Sequence, residues 1–431
     1  MSEIEPEQQI QEIEQALPQE TVGAGAGRLP RQLTAFRHRN YRLFFSGQII
    51  SVTGTWLQMV AQGWLVLQLT NSALLLGVVG SISALPVLVF SLFAGVAADR
   101  FNKRNLIVAT QTSAMMLAFI LAALIHWNIV TIYHIVAIGF LLGTVNAFDA
   151  PTRQSFVIEM VGREDLTNAI ALNSAMFNSA RIIGPAVAGI VIATVGIAGA
   201  YFLNGISFIA VIAGLLLMRV NYTALTSKTS VRQRLKEGFR FIRENRMVTA
   251  LLTLTAVVSI FSMSYMVLMP IFARDILKVG ARGLGYLMSA AGFGALVGAL
   301  MISSLGDFRT KGKLLLTGNL TFCVMLALFS FSKLMPLSII LLIGAGWGMM
   351  TNMALTNTLI QTAVPDQLRG RVMSVYTLMF MGMAPIGSLQ AGALAHWLGA
   401  PVAIRIGAVI CATVALILSP RIVKQRSAAS G

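Results

Sequence analysis

One carboxylate of this 431-residue chain follows a long apolar run and has a basic residue four positions after it. Asp149 and Arg153 would share one face of a helix, because residues four apart are neighbours on a helix surface. A carboxylate withdrawn from water resists ionisation, which lets it bind and release a proton near neutral pH. We therefore predict Asp149 as a proton carrier with Arg153 as its partner. The alternative is that Asp149 caps a helix that resumes after a break at Pro151.

A second charge, Arg181, lies near the middle of another apolar run, in the stretch ARIIGPAVAG. Charges in such positions are costly and face protein or a water-filled cavity. We predict that Arg181 takes part in proton coupling or attracts an anionic substrate, such as a catecholate or carboxylate. The alternative is that backbone carbonyls and Asn178 satisfy its charge. Gly184, Pro185 and Gly189 are predicted packing residues, because small residues let helices approach and proline bends them.

Charges that pair when one face of the protein closes, and separate when it opens, would form a gate. Asp99, in GVAADRFNKR, is placed to meet the positive N-terminal end of a later helix. Arg100 or Arg104 would then reach Glu159 or Asp149. The alternative is a basic anchor with no switching role. The predicted gate residues are Gly95, Asp99, Arg100, Lys103, Arg104, Glu159, Asp307, Lys311 and Arg371.

The elements that must position these residues are membrane-spanning helices. The chain is 56% hydrophobic and only 11% charged, whereas roughly a quarter of the residues of a soluble protein are charged. This composition excludes a soluble enzyme. Apolar runs are long enough for the roughly 20 residues that cross a hydrocarbon core, and no alternating β-barrel pattern is visible. We predict an all-α membrane protein with twelve spans, near 43–69, 73–98, 105–126, 131–152, 166–193, 198–219, 247–273, 283–305, 313–333, 335–362, 371–395 and 400–420.

The distribution of basic residues predicts the orientation. Most of the 32 Lys and Arg residues fall in the approach to the first span, in alternate connections and in the C-terminal tail. Short cytoplasmic segments accumulate positive charge, so we expect both termini in the cytoplasm. The net charge of +16 then reflects topology, and we expect no nucleic-acid partner, since interleaved exposed aromatic residues are not seen.

The two groups of six spans repeat each other. A shift of 203 residues lays MFNSARIIGPAVAG on MFMGMAPIGSLQAG, and a shift of 208 lays Asp99 and Lys103 on Asp307 and Lys311. Parallel repeats of this kind rock about a shared central site in transporters. We predict an acidic disordered tail at 1–35, a six-helix bundle at 36–219, a linker with an amphipathic helix at 220–246, a second bundle at 247–420 and a short tail at 421–431.

These motifs resemble those of the major facilitator superfamily, from about Phe36 to Arg421. GVAADRFNKR is similar to the loop signature of that superfamily, and ARIIGPAVAG is similar to the fifth-helix motif of its antiporters. Three further stretches resemble the enterobactin-exporter-like and macrolide-efflux-like branch. They are GTWLQMVAQGWLVLQLTNSALLLG, DAPTRQSFVIEMV and QLRGRVMSVYTLMFMGMAPIGS.

The resemblance implies a major facilitator fold with the first, fourth, seventh and tenth helices around a central cavity. A mostly apolar cavity with a few amides and aromatic rings suits bulky amphipathic molecules, and the 22 methionines suit an adaptable wall. The polar and aromatic residues expected there are Thr55, Trp56, Gln58, Gln62, Asn146, Ser262, Tyr265, Trp347, Asn352, Asn357 and Gln361.

We expect neither a cofactor nor a metal, and no enzymatic activity, since a phosphate-binding glycine loop is not seen and the four histidines are scattered. We predict a monomeric secondary transporter of the bacterial inner membrane. Its partners would be the lipid bilayer, protons and a small organic substrate, and it would export a siderophore-like metabolite or a hydrophobic drug in exchange for protons. The alternatives are an importer or facilitator with the same fold, and a transport-inactive sensor or lipid-handling accessory protein.

Overall fold

The computed structural model of the protein describes residues 31–219, 240–306, 308 and 310–423. Most of the predicted acidic tail and linker helix, Asp307 and the chain end therefore lie outside the described residues, as does the side chain of Asp99. A short 3₁₀ helix, Arg31–Arg37, precedes the first long helix. The first six long helices are α1 Arg39–Thr70, α2 Ala73–Arg100, α3 Lys103–His126, α4 Ile132–Val161, α5 Leu166–Thr194 and α6 Gly196–Leu216.

Six more helices follow, and two of them are interrupted. The span α7, Arg246–Ile276, contains two π-helical turns, Val258–Ser262 and Phe272–Ile276. The span α11 consists of Asp366–Met381 and Ala384–Leu398, with a short turn between them. The remaining helices are α8 Gly280–Leu305, α9 Lys311–Phe329, α10 Met335–Ala363 and α12 Ala400–Val423.

Eleven of these segments, α2 to α12, are long and apolar enough to cross a membrane. The helix α1 is also long enough, but it carries Gln48, Gln58, Gln62 and Gln68, which lower its hydropathy. These positions agree with the predicted spans. One predicted end is wrong, because α4 continues through Pro151 to Val161 instead of stopping at 152. The Thr152 hydroxyl donates to the Phe148 carbonyl at 2.7 Å in this turn, and neighbouring helices let membrane helices tolerate such prolines.

The two halves of the described chain have the same packing pattern. In the first half, α1 packs on α5 and α6, α3 packs on α4 and α6, and α2 packs on α4. In the second half, α7 packs on α11 and α12, α9 packs on α10 and α12, and α8 packs on α10. Each pair in one half is matched six helices later in the other. The predicted fold of two six-helix repeats is confirmed.

The two halves meet along α5 with α8, and along α2 with α11. We call the end of the molecule that carries the α1–α2 and α7–α8 connections the distal end, and the opposite end the proximal end. Glycines allow close approach near the distal end. A Cβ atom on Gly77 would lie 2.5 Å from the Ser388 carbonyl oxygen, and one on Gly189 would lie 2.8 Å from that of Ala281. A Cβ on Gly95, near the proximal end, would meet nothing within 4 Å. The halves are therefore tightly packed near the distal end, whereas the position of a Cβ on Gly95 is open space.

Candidate functional site

A cavity of about 540 Å³ lies between the two halves, within the size range of sites for small organic ligands. Its wall on the first half carries nearly all of its polar residues among apolar ones, and five of the predicted cavity residues lie in it. These are Thr55, Trp56, Gln58, Gln62 and Asn146. Its wall on the second half is mostly apolar and is formed by Met266, Val267, Pro270, Leu284, Met288 and Ser388.

Asp149 lies in this wall and is only 2% exposed. Its carboxylate forms an ion pair with Arg153, the residue one turn later on α4. The Asp149 Oδ1 atom also accepts hydrogen bonds from the Thr110 hydroxyl and the Gln111 amide, both at 2.9 Å. The Arg153 guanidinium donates to Gln48 Oε1 at 3.0 Å. The carboxylate is thus held by three donors at the edge of the cavity.

The alternative that Asp149 caps a resumed helix is wrong, because Asp149 lies in the interior of α4. Its neighbours Thr110 and Gln111, on α3, and Gln48, on α1, were missed by the sequence analysis. A signal was present, since a buried glutamine or threonine in an apolar helix also needs a hydrogen-bond partner. A second missed pair lies nearby, where the Asn204 amide on α6 donates to Gln58 Oε1.

The other cavity residues predicted on the second half lie elsewhere. Within the described residues, the lining of this cavity includes none of Ser262, Tyr265, Trp347, Asn352, Asn357 and Gln361. Tyr265 packs edge-on against Phe322 of α9, with ring centroids 6.2 Å apart. The α10 prediction fails because α10 is packed against both α8 and α9. A Cβ on Gly348 would lie 2.5 Å from the Gly318 carbonyl oxygen of α9.

The side chain of Arg181, on α5 of the first half, reaches α10 of the second half. Its Nη2 atom lies 3.9 Å from the Met349 sulfur of α10. Asn178 is not its partner, because the Asn178 amide donates to the Ser174 carbonyl at 2.8 Å. The alternative that backbone carbonyls and Asn178 satisfy its charge is therefore wrong for the described residues, where its side-chain contact is Met349. Two predicted packing residues do bring helices together: a Cβ on Gly184 would lie 2.5 Å from Trp56 Cβ on α1, and Gly189 faces α8. Pro185, between them, lies inside α5 and is buried.

The predicted gate residues are arranged differently from the expectation. Lys103, not Arg104, forms the ion pair with Glu159. The Arg104 guanidinium donates to the carbonyl oxygens of Leu215 and Leu216 at 2.6 and 2.8 Å, where α6 ends. Its role in the structure is to bind the negative end of that helix. Lys311 is buried and lies 6.0 Å from the Phe308 ring centroid.

The segment before α1 is tied to the start of α5 by a charged cluster. Asp165 Oδ2 forms an ion pair with Arg37 Nε and a hydrogen bond with His38 Nε2, each at 2.7 Å. Burial raises the pKa of the Asp165 carboxyl, but hydrogen bonds from His38 and Thr34 and the nearby positive charges outweigh it, so the pKa lies below its usual value.

Known proteins of related sequence are membrane transporters. The chain is 26% identical to the Staphyloferrin A transporter of Staphylococcus aureus, over 81% of this chain and 87% of that protein. It is 28% identical to the Multidrug efflux pump Tap of Mycolicibacterium fortuitum, over 80% and 87%. It is 26% identical to the Enterobactin exporter EntS of Shigella boydii, over 83% and 85%.

Solved structures of the same fold include inward-facing transporters. One is a bacterial homologue of the human lysosomal transporter Spinster, inward-facing and unoccupied. Its TM-score is 0.72 at 13% identity, and the match covers 92% of this chain and 99% of that chain. A bacterial homologue of the iron transporter ferroportin, in an inward-facing state, gives a TM-score of 0.68 at 15% identity, covering 90% and 98%. These similarities concern the fold alone.

The family model described as transmembrane secretion effector matches residues 31–430, nearly the whole chain. With the repeated six-helix fold and the central cavity, this match shows that the chain belongs to the transmembrane secretion effector family of major facilitator transporters.

Proposed function

We propose that the chain is a proton-coupled exporter of amphipathic organic compounds in the plasma membrane of a bacterium. In this proposal both termini are cytoplasmic, so the proximal end faces the cytoplasm and the distal end faces outward. The related Staphyloferrin A transporter, the Tap pump and the enterobactin exporter support a cargo that is siderophore-like or a hydrophobic drug. The chain acts as a monomer, since one chain supplies both walls of the cavity.

The observation that carries the proposal is the buried carboxylate of Asp149. Among the described residues, Asp149 is the acidic residue that lines the cavity. Protonation would remove its charge and release Arg153 from the ion pair, so the cavity would gain one positive charge. A substrate that binds only while Asp149 and Arg153 remain paired, and a proton that breaks this pair, exclude each other. Such exclusion is how the two fluxes of an exchanger become linked.

Alternating access is supported by the contacts between the halves. The cavity is closed distally by the packing of α2 on α11 and α5 on α8. To open outward, the halves would separate there and close at the proximal end. On proximal closure, the second half would move into the open space around Gly95. The predicted gate charges near Gly95, such as Arg100 and Lys103, would then form the proximal gate.

The chemistry of the cavity supports the substrate class. The apolar wall of Met266, Val267, Leu284 and Met288 offers flexible and polarisable surface to a bulky molecule. The opposite wall offers amides and hydroxyls that orient its polar groups. Sugars and inorganic ions need denser hydrogen bonding than this arrangement provides.

Inverted membrane vesicles test the proposal. With an acid interior, the wild-type protein should concentrate ethidium or enterobactin inside, and Asp149→Asn should abolish this accumulation. Asp275→Asn is the matched control, because Asp275 lies at the distal end of α7, away from the cavity, and is paired with Arg274. Accumulation that persists in Asp149→Asn would remove the coupling role. Uptake only into right-side-out vesicles would indicate an importer.

A further inference from the structure

Arg181 is a positive charge without an acidic partner in the described part of the chain. Among the described residues, the hydrogen-bond contact of its side chain is the Met349 sulfur at 3.9 Å, and a thioether is a weak acceptor. A guanidinium withdrawn from water needs a counter-charge or several strong acceptors. Arg153, the cation on the cavity wall, already has its counter-charge in Asp149. Of these two arginines, Arg181 is therefore the one whose charge is left for an external anion.

Unpaired donors lie on the other side of the interface. Within the part of the chain that the structure describes, the buried Tyr265 hydroxyl has no hydrogen-bond partner, and the side chain is only 3% exposed. It lies close enough to Arg181 for an electrostatic interaction. The Asn352 amide nitrogen, one helical turn after Met349 on α10, is also buried and without a partner. Buried polar groups are paired in the great majority of cases, so unpaired donors around a cation favour an acceptor-rich ligand.

Arg181, Tyr265 and Asn352 are not in the lining of the central cavity, but residues beside two of them are. Phe177 lies one turn before Arg181 on α5 and lines the cavity, as does Met266, the residue next to Tyr265. A molecule whose apolar body lies in the cavity can thus place a charged group beside Arg181.

We propose that Arg181, Tyr265 and Asn352 form a subsite for the anionic group of an amphipathic organic substrate, such as a carboxylate, phenolate or sulfonate. The transport role of this subsite rests on the proposed function, but binding of the anion does not. Arg181 belongs to one half, and Tyr265 and Asn352 belong to the other. Rocking of the halves changes the spacing of these donors, so the affinity for the anion differs between the two states, as a pump requires.

A pair of fluorescent probes tests the subsite. 8-Anilinonaphthalene-1-sulfonate and N-phenyl-1-naphthylamine share one aromatic body, and only the first carries an anionic group. Binding is measured by energy transfer from Trp56, which lines the cavity, and Trp347, in phosphatidylcholine nanodiscs. Arg181→Gln should weaken binding of the sulfonate about 10-fold or more and leave binding of the neutral probe within about 2-fold. Tyr265→Phe should weaken sulfonate binding by a smaller factor, about 3-fold, and Arg181→Lys should largely restore it.

Arg405→Gln is the matched control, because Arg405 is also a partly buried arginine but stacks on Phe331, 4.5 Å from its ring centroid, at the distal end. It should leave binding of both probes unchanged, and size-exclusion profiles should show that all variants fold. The proposal is overturned if the wild type shows no saturable sulfonate binding, if Arg181→Gln weakens both probes equally, or if Arg153→Gln alone abolishes sulfonate binding. Displacement of the sulfonate by phosphatidylglycerol would assign the site to a lipid phosphate and also overturn it.

Transport assays separate this proposal from the proposed function. If Arg181→Gln weakens sulfonate binding but wild-type vesicles transport no probe, the proposal of an anion subsite is kept and the proposal of export is rejected. If wild-type vesicles transport ethidium and Arg181→Gln binds the sulfonate as the wild type does, the proposal of export is kept and the proposal of an anion subsite is rejected.

Discussion

A single methyl group at Gly77 should hold the distal end of the protein open. In the structure, a Cβ atom at this position would lie 2.5 Å from the Ser388 carbonyl oxygen and 2.7 Å from the Gly392 Cα. Both contacts are to backbone atoms, which no side-chain rotation can move away. The helices α2 and α11 would have to separate to accept the methyl group. Gly77→Ala therefore penalises the state in which these helices touch.

The size of the effect follows from the cost of overpacking. Adding a methylene to a well-packed contact costs about 1–3 kcal/mol. That cost applies only when the distal end is closed, because the contact is lost when the halves separate there. Since each 1.4 kcal/mol corresponds to a factor of ten, the ratio of distally open to distally closed molecules should rise about 5-fold to 150-fold.

Distances between spin labels at the two ends of the molecule measure this ratio. Asn128 and Lys333 are exposed residues in distal connections of the first and second halves, and Arg163 and Lys313 are exposed near the proximal end. In Gly77→Ala, the distal pair should shift to longer distances and the proximal pair to shorter ones. The native cysteines, both buried, are replaced first: Cys323 and Cys411.

Gly95→Ala is the matched variant, because the same methyl group would meet nothing within 4 Å in this structure. It should leave the distally closed state unharmed and penalise only proximal closure, so its distance shifts should be opposite or absent. Both variants should slow transport, by trapping different states. If Gly77→Ala folds but leaves both distance distributions unchanged, or if Gly95→Ala opens the distal end, the assignment of the closed end is refuted.

Three further predictions concern charges. Arg274 donates to the Leu67 carbonyl at 2.9 Å and so joins α7 to the end of α1; Arg274→Ala should favour distal opening about 5-fold, measured with the same distal label pair. Lys103 and Glu159 form an ion pair, and because the pair is partly exposed, Lys103→Ala should lower stability by less than about 1 kcal/mol. A variant in which the two residues are exchanged should recover that loss in thermal unfolding, and an exchanged variant without recovery would contradict the pairing. Because the pKa of Asp165 is lowered in the folded protein, its carboxylate stabilises the fold above its unfolded-state pKa, and this contribution is lost as the pH falls through the lowered value. Asp165→Asn should abolish the resulting fall of melting temperature at acid pH. If the melting temperature of this variant falls with pH as in the wild type, the Asp165 cluster is not the source of the fall.

The spans, the repeat and the Asp149–Arg153 pair are predictable from sequence because each depends on local pattern. Hydropathy over about 20 residues marks a span, and a spacing of four places two side chains on one helix face. The end of α4 was not predictable in this way. Pro151 usually ends a helix in water, whereas here α4 is supported by its packing on α2 and α3.

Residue contacts across helices were less predictable. The helix α10 has polar residues, such as Asn352, Asn357 and Gln361, but no single polar face. Its sequence therefore does not tell which face meets the cavity, and packing against α8 and α9 decides this. Lys103 and Arg104 are adjacent at the start of α3 and point in different directions, so only the positions of α4 and α6 decide which of them reaches Glu159. In the same way, only the packing of α3 against α4 brings Thr110 and Gln111 to Asp149.

The two walls of the cavity have diverged although the halves repeat each other. The paired charges and most of the amides lie on the first half, and the second half contributes mainly methionine, valine, leucine and proline. Replacing Met266 or Met288 by another apolar residue would change the shape of the cavity without altering the Asp149–Arg153 ion pair. Substitutions in the second half can therefore change which cargo fits the cavity while the Asp149–Arg153 pair of the first half stays unaltered.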